Sequence, residues 1–194
     1  MDEYSAKHDF LISIGGHKAN IMSDLVAKEK PQTLVELGGY LGYSAILFAD
    51  TMRRNSKPDQ KPRVWSLEMS SEFAGIAREL IMLAGLSDIV TVVTGPAEES
   101  LRKLHKEGTL TNVDFLFLDH VEDLYVPDLK VCEELGLLQQ GAVIAADNVV
   151  KPGAPEYRKY VRSHPKLEST AVMGLIQPGD LEVRVSAHSK VSCH

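Results

Sequence analysis

Five short apolar segments alternate with longer segments of helical periodicity up to about residue 150, and this alternation strongly constrains the fold. The apolar segments lack strict alternation, as expected of strands that are buried on both faces. They are Thr33–Leu37, Val64–Leu67, Ile89–Val93, Val113–Leu118 and Ala142–Ala146. Between them, apolar residues recur at helical spacing in Ser44–Met52, Ser71–Ala84, Glu98–His105 and Asp128–Leu138. The pattern predicts an α/β fold with a mainly parallel sheet and helices on both faces.

The C-terminal part of the chain has a different pattern. A helix is expected over Pro155–Arg162, and two β-like segments follow it, Glu168–Ile176 and Leu181–His188. The Gln-Pro-Gly-Asp sequence between those segments is a turn signal, so we expect a C-terminal antiparallel hairpin. Earlier in the chain, we expect the Met and Leu residues of Ile81–Leu86 to lie in the core.

Length and charge restrict the class of protein. A chain of 194 residues predicts one domain over 1–194, because separate cores appear only beyond roughly 250–300 residues. The net charge of −6 argues against the broad basic surface that nucleic-acid binding requires. There is no apolar run of membrane-spanning length and no signal-peptide pattern. Cys132 and Cys193 do not indicate a disulfide framework. We therefore expect a cytoplasmic protein that binds neither nucleic acid nor membrane.

The first predicted strand leads into a glycine-rich segment, Glu36–Ser44, with the sequence ELGGYLGYS. In open parallel sheets, ligands bind beyond the carboxyl ends of the strands, so residues that follow strands are the candidates. Glycines at 38, 39 and 42 permit a sharp turn and a close approach of the backbone to a ligand. Tyr40 and Tyr43 stand where a dinucleotide-binding loop has glycine, which disfavours a nicotinamide cofactor, and no phosphate-binding P-loop motif occurs. A tight turn without a ligand is the alternative.

The second predicted strand ends at Glu68, where a carboxylate is placed to accept hydrogen bonds from both hydroxyls of an adenosine ribose. A solvated charge at the end of a strand is the alternative. The next residue, Met69, either packs on an adenine or belongs to the core. Glu36 and Glu68 together indicate S-adenosylmethionine, because its sulfonium cation suits an acidic protein.

Two further predicted strands end in aspartates, Asp119 and Asp147, and Asn148 follows the second of them. Neighbouring parallel strands would bring these oxygen ligands to one edge of the sheet, where they suit Mg²⁺. Helix capping or solvation of each aspartate is the alternative. His120 either lines the cofactor pocket or is hydrogen-bonded to the charged cluster.

These motifs resemble those of the catechol O-methyltransferase family, class I S-adenosylmethionine-dependent enzymes that use Mg²⁺. The resemblance extends from about Phe10 to Val161 and rests on Glu36–Ser44, Leu118–His120, Asp147–Val149 and Pro152–Pro155. It implies a Rossmann-like class I methyltransferase fold with a mostly parallel seven-stranded sheet. It also implies ribose binding by Glu68 and metal ligation by Asp119, Asp147 and Asn148. The remaining predicted cofactor contacts are Glu36, Gly38, Tyr40, Ser44, Met69, Ala97, Glu98, Asp119 and His120.

The chain departs from the family pattern at three places. Val121 and Glu122 occupy the positions of the family's tryptophan and catalytic lysine, which leaves Glu122 and the metal ligand Asp119 as candidate catalytic residues. Most of the N-terminal helices that wall the family's substrate pocket are expected to be missing. The C-terminal hairpin is shorter, and Gln177 lies nearest to the position of the family's substrate-binding glutamate.

The predicted reaction transfers a methyl group from S-adenosylmethionine to a hydroxyl of a catechol-type or other phenolic small molecule held by Mg²⁺. A nearby dication lowers the pKa of a carboxyl group and weakens it as a base, so we expect Glu122 to be solvated or to lie beside the metal. The alternative is a cofactor-binding protein with an altered substrate or lost catalysis. The sequence is compatible with a monomer and with a homodimer.

Overall fold

A computed structural model describes residues 1–8, 11–176 and 181–191. Its seven strands form one sheet in the order β3-β2-β1-β4-β5-β7-β6. The strands are β1 (Thr33–Leu37), β2 (Arg63–Glu68), β3 (Val90–Thr94), β4 (Val113–Leu118), β5 (Leu138–Ala146), β6 (Leu167–Ile176) and β7 (Leu181–Val191). The first five pair in parallel, and β7 pairs antiparallel with β5 and β6. The predicted fold, a mostly parallel sheet that ends in an antiparallel hairpin, is confirmed. Gln177, the predicted turn around it, and Cys193 lie outside the described residues.

Within the described ranges, seven α-helices connect or precede the strands. They are α1 (Asp2–Lys7), α2 (Gly15–Glu29), α3 (Tyr43–Asn55), α4 (Ser71–Leu83), α5 (Ala97–Lys106), α6 (Tyr125–Glu134) and α7 (Pro155–Ser163). A short 3₁₀ turn, Glu122–Leu124, precedes α6, and a π turn, Val149–Gly153, precedes α7. Among the residues that the structure describes, no helix is both long and apolar enough to cross a membrane.

Three predictions are wrong in detail. The helix predicted over Asp128–Leu138 ends at Glu134, because Gly136 adopts a φ of 65° and Leu138 already belongs to β5. The sequence analysis assigns no helix before β1, yet α2 is 15 residues long. In Ile81–Leu86, Leu86 is buried, but Met82 and Leu83 are 66% and 83% exposed, because they face outward from the last turn of α4.

The sheet separates two apolar clusters, which explains why its strands are continuously apolar. Val35 and Leu37 of β1 pack toward α5, α6 and α7, whereas Leu34 packs toward α2, α3 and α4. Strands covered on both faces carry apolar residues at successive positions. The strand order reverses between β1 and β4, and this reversal opens a crevice at the carboxyl ends of the central strands.

Candidate active site

A cavity of about 700 Å³ lies at the carboxyl ends of β1 to β5. It is lined by every residue predicted to bind the cofactor or the metal except Glu36, and by Glu122. The predicted residues in its lining are Gly38, Tyr40, Ser44, Glu68, Met69, Ala97, Glu98, Asp119, His120, Glu122, Asp147 and Asn148. The fold therefore brings residues from the ends of five strands, spread over more than 100 positions of the chain, to one place.

Gly38 allows the loops after β1 and β4 to pack closely. Its φ is +95°, and a Cβ atom there would lie 2.3 Å from the backbone oxygen of Asp119. The Asp119 amide donates to the Leu37 carbonyl at 2.9 Å, which joins the same two strand ends. The sequence analysis attributed this glycine to the approach of a ligand; the structure shows that the neighbouring loop already excludes a side chain.

Glu68 is held by two backbone amides. Its Oε2 accepts a hydrogen bond from the Tyr40 amide at 2.7 Å, and its Oε1 accepts one from the Ser70 amide at 2.8 Å. The residue is 9% exposed, which rules out the alternative of a solvated charge. A carboxylate oxygen accepts more than one hydrogen bond, so both oxygens of Glu68 can still accept hydrogen bonds from a ligand in the cavity. Met69 is 72% exposed, so the core alternative for this residue is wrong.

Glu36 lies beneath the cavity and is fully buried. Ser66 donates a hydrogen bond to its Oε1, and Ser44 forms a second hydrogen bond with it, whereas Oε2 has no partner. Burial raises the pKa of this carboxyl group to about 7, although the two serine hydrogen bonds oppose the shift. Glu36 is therefore placed to support the loop through Ser44 rather than to form part of the cavity wall.

Asp119 and Asp147 form an acidic pair in which Asp147 is buried and Asp119 is partly buried. Burial raises the pKa of both carboxyl groups, and the charge on Asp147 raises the pKa of Asp119 further. Asp147 Oδ1 accepts a hydrogen bond from the Asn148 amide at 2.7 Å. Its Oδ2 accepts one from Lys18 Nζ at 2.6 Å, and the same Nζ is 3.4 Å from Asn148 Oδ1. Two of the predicted metal ligands, Asp147 and Asn148, thus already contact a cation, the Lys18 ammonium group.

The sequence analysis missed Lys18. This residue lies on α2 in line with Met22 and Val26, at spacings of four and eight residues, and all three are buried. A lysine on the apolar face of a helix signals a buried acidic partner, because an unpaired ammonium group is costly to bury. That signal was present in the sequence. Because α2 was not predicted, however, the spacing of Lys18, Met22 and Val26 could not be interpreted as one face of a helix.

His120 lies in the cavity wall and is hydrogen-bonded, but its partner lies outside the acidic cluster considered from the sequence. The ring lines the cavity, and its Nε2 lies 2.8 Å from Oδ2 of Asp128, which is itself 4% exposed. The ring also packs against Tyr125, with 5.1 Å between ring centroids. Asp128 and Tyr125, neither of which was singled out from the sequence, therefore hold His120 in place.

Glu122 lies in the cavity wall where its charge reaches the acidic pair. Its carboxylate raises the pKa of both Asp119 and Asp147. Even so, no group of three or more His, Cys, Asp or Glu residues within the described ranges is arranged to hold a metal ion. A metal at this site would depend on the two aspartates, on the Asn148 amide oxygen, and on water or substrate oxygens.

The strand order and the cavity at the point of reversal are those of a class I methyltransferase. The chain matches the sequence profile of the O-methyltransferase family over residues 3–165, so it belongs to that family. The resemblance found in the sequence is thereby confirmed.

Named relatives agree with this assignment. Catechol O-methyltransferase from Bos taurus is 36% identical over 168 residues, covering 87% of this chain and 60% of the relative. Catechol O-methyltransferase from Sus scrofa is 38% identical over 157 residues, 81% of each chain. The chain thus spans about three fifths of the length of the bovine relative. In fold, it is similar to the O-methyltransferase from Bacillus cereus in complex with SAH, with a TM-score of 0.77, 24% identity, and coverage of 98% and 96% of the two chains.

Proposed function

We propose that this chain is an S-adenosylmethionine-dependent O-methyltransferase that acts on a catechol-type small molecule with the help of Mg²⁺. One observation carries the proposal: the glycine loop, the anchored Glu68 and the acidic pair Asp119–Asp147 line a single cavity. Family membership supports methyl transfer to oxygen. The names of the bovine and porcine relatives support a catechol substrate.

In this proposal, the cofactor lies along the carboxyl ends of β1 to β3. Glu68, held by two backbone amides, accepts hydrogen bonds from the ribose hydroxyls. Exposed Met69 and the His120 ring pack against the adenine. The remaining contacts come from Gly38, Tyr40, Ser44, Ala97, Glu98 and Asp119, and Glu36 supports Ser44 from below.

The donor set beside the cofactor fits Mg²⁺. Asp119 and Asp147 supply carboxylates and Asn148 supplies an amide oxygen, which are hard ligands that Mg²⁺ prefers. The cation Lys18 at this position shows that the pocket stabilises positive charge. When bound, Mg²⁺ would hold two vicinal hydroxyls and lower the pKa of one of them. The protein's own part is to hold the substrate oxygen in line with the methyl group and to exclude water.

No residue of the described cavity wall takes the place of the family's lysine as a general base. Glu122 stands at that position with the opposite charge, and the Lys18 ammonium group donates a hydrogen bond to Asp147 in a buried ion pair. A positioned base contributes about 10²–10⁴-fold to rate. We therefore expect slower turnover than in an enzyme with the lysine, because the substrate hydroxyl would have to lose its proton to solvent and not to a positioned base.

A cofactor-binding protein without turnover is the second candidate, and the replacement of the family's tryptophan and lysine by Val121 and Glu122 favours it. Val121 lines the cavity and is 56% exposed. Both candidates bind the cofactor, but only the first transfers its methyl group to a substrate.

The deciding experiment is transfer of labelled methyl from S-adenosylmethionine to a panel of catechols, with Mg²⁺ and again with EDTA. Cofactor binding is measured by calorimetry on the same preparation. We expect turnover that EDTA abolishes. Cofactor binding without turnover on any catechol would instead support the second candidate, and absence of cofactor binding would contradict both. Glu68→Gln is the matched variant, and it should weaken cofactor binding while leaving the acidic pair intact.

A further inference from the structure

The charge distribution in the cavity wall is uneven. Six carboxyl groups line it, from Glu68, Glu98, Asp119, Glu122, Asp128 and Asp147. Lys18 is the one lysine or arginine among the described residues of that wall. Its side chain is 8% exposed, compared with 78% for Lys28 on the same helix.

Lys18 uses the acceptors that a metal ion would use. Its Nζ is 2.6 Å from Asp147 Oδ2 and 3.4 Å from Asn148 Oδ1, and its charge also acts on Asp119. Asp147 Oδ1 is already engaged by the Asn148 amide at 2.7 Å. The Lys18 ammonium therefore takes the oxygen of Asp147 that the Asn148 amide leaves free.

An ammonium group and a dication are poorly accommodated together at this position. Both would be bound by the carboxylate of Asp147, and in a buried site their repulsion is weakly screened. A lysine side chain has a flexible stem of four carbons, so its head group is able to leave while the helix stays in place. Glu122 lies in the same cavity wall and offers a carboxylate to a displaced ammonium group, which the lysine found in the family at that position would repel.

We propose that Lys18 and a divalent metal ion occupy this site in turn, so that Lys18 is a built-in competitor for Mg²⁺. Without metal, Lys18 neutralises the acidic pair and keeps the cavity edge folded. Metal binding displaces Lys18 from Asp147, and the free energy needed to break this buried ion pair weakens the apparent metal affinity. The inference deepens the metal-dependent part of the proposed function and rests on it.

The first test is metal binding to cofactor-free protein, measured by calorimetry with Mg²⁺ and Mn²⁺. Lys18→Met removes the charge and keeps most of the side-chain volume, and Lys28→Met is the matched control on the same helix. We expect Lys18→Met to bind metal about tenfold more tightly or better than wild type, the ratio that 1.4 kcal/mol of competition would give. Lys28→Met should bind like wild type. Equal or weaker metal binding by Lys18→Met would overturn the proposal, because Lys18 would then support the metal ligands instead of competing.

The second test uses the wild-type protein and does not depend on the folding of a variant. Lysines are acetylated with acetic anhydride, with and without saturating Mg²⁺, and the modified positions are read by mass spectrometry. We expect Lys18 to be protected without metal and reactive with it, whereas Lys28 reacts in both conditions. Lys18 that stays protected at saturating Mg²⁺ would contradict displacement.

The two tests separate this inference from the proposed function. If methyl transfer is abolished by EDTA but Lys18→Met binds metal no more tightly, the competition fails and the enzyme assignment stands. If neither protein binds metal, the metal-dependent part of the proposed function fails as well.

Discussion

Burial determines the charge state of the carboxyl groups nearest to the cavity. Glu36 and Asp147 are buried and Asp119 is partly buried, and loss of solvation is the largest cause of the raised pKa of each. Glu68 is also nearly buried but is held by two backbone amides. The sequence predicted the positions of these carboxylates, because each one ends a strand or lies within one. It did not predict which of them would be buried without a full set of hydrogen-bond partners.

Glu36 should make the protein less stable as the pH rises through neutrality. Its pKa is about 7 in the folded chain and 4.5 in a model compound. The folded state therefore binds this proton more tightly, so the stabilisation is fully present below pH 4.5 and is lost as the pH passes 7. The loss should be on the order of 3 kcal/mol. Urea unfolding of metal-free protein across this range measures it.

Glu36→Gln should flatten the pH dependence, because the amide has no proton to lose over this range. Some dependence of stability on pH should remain from Asp119 and Asp147, because the pKa values of both are also raised in the folded chain. The exposed Glu107→Gln is the control and should keep the wild-type slope. A Glu36→Gln profile as steep as that of the wild type would show that Glu36 is not the titrating group.

Glu122 should be dispensable for turnover. Glu122→Ala is expected to keep methyl transfer within about tenfold of wild type, since removal of a working base costs about 10²-fold or more. Asp123→Ala, an exposed neighbour outside the cavity wall, is the matched control. Glu122→Lys should raise kcat by restoring the family's residue. Loss of nearly all turnover in Glu122→Ala, with cofactor and metal affinity unchanged, would identify Glu122 as the base.

At the scale of elements, sequence patterns predicted most strands to within a few residues but missed the exposed start of β5. The bounds of β1 and β4 agree with those predicted, because both strands are apolar along nearly their whole length. β5 begins four residues before its predicted start, because Leu138–Gly141 are partly or fully exposed and carry no apolar run. The α2 helix was missed because its buried face includes Gly15 and Lys18 as well as apolar residues.

The contact between the loops after β1 and β4 should be sensitive to a single methyl group. Gly38→Ala would place a Cβ atom 2.3 Å from the Asp119 backbone oxygen, at a φ of +95°. Gly85→Ala is the matched control, because its φ is +67° but nothing lies within 4 Å of the added atom. The control should lose about 1–2 kcal/mol of stability from backbone strain alone.

Gly38→Ala should lose about 3 kcal/mol or more, because the backbone of the second loop must also move. Cofactor binding should weaken in Gly38→Ala and stay unchanged in Gly85→Ala. Chemical denaturation and calorimetry measure the two effects. Equal losses of stability in the two variants would show that the close contact with Asp119 does not affect the free energy of unfolding.

At the scale of the whole molecule, an acidic chain concentrates negative charge in one cavity. The net charge is −6, and six carboxyl groups line the cavity. The class of fold followed from the order of strands and helices, but the pairing of Lys18 with Asp147 joins positions 129 residues apart. Sequence spacing alone carries no information about such a contact.

Binding of S-adenosylmethionine should release protons near pH 7. A cation bound in this cavity lowers the pKa of buried carboxyl groups, and Glu36 titrates at about 7 in the free protein. Calorimetry in two buffers of different ionisation enthalpy measures the number of protons released. We expect a smaller release for Glu36→Gln and for SAH, which lacks the sulfonium charge. The same release with both ligands would contradict this electrostatic explanation.

The strand order also affects when each strand of the sheet can pair during synthesis. Among the described strands, β6 pairs with β7 alone, yet it precedes β7 in the chain, and β7 lies between β5 and β6. On the ribosome, β6 therefore has no partner until β7 has emerged, whereas β1 to β5 are already available to pair. A nascent chain at that stage already has all the strands that border the cavity, but the edge of β5 is unpaired. Unpaired strand edges promote aggregation and chaperone binding. The emergence of β7 ends that exposure.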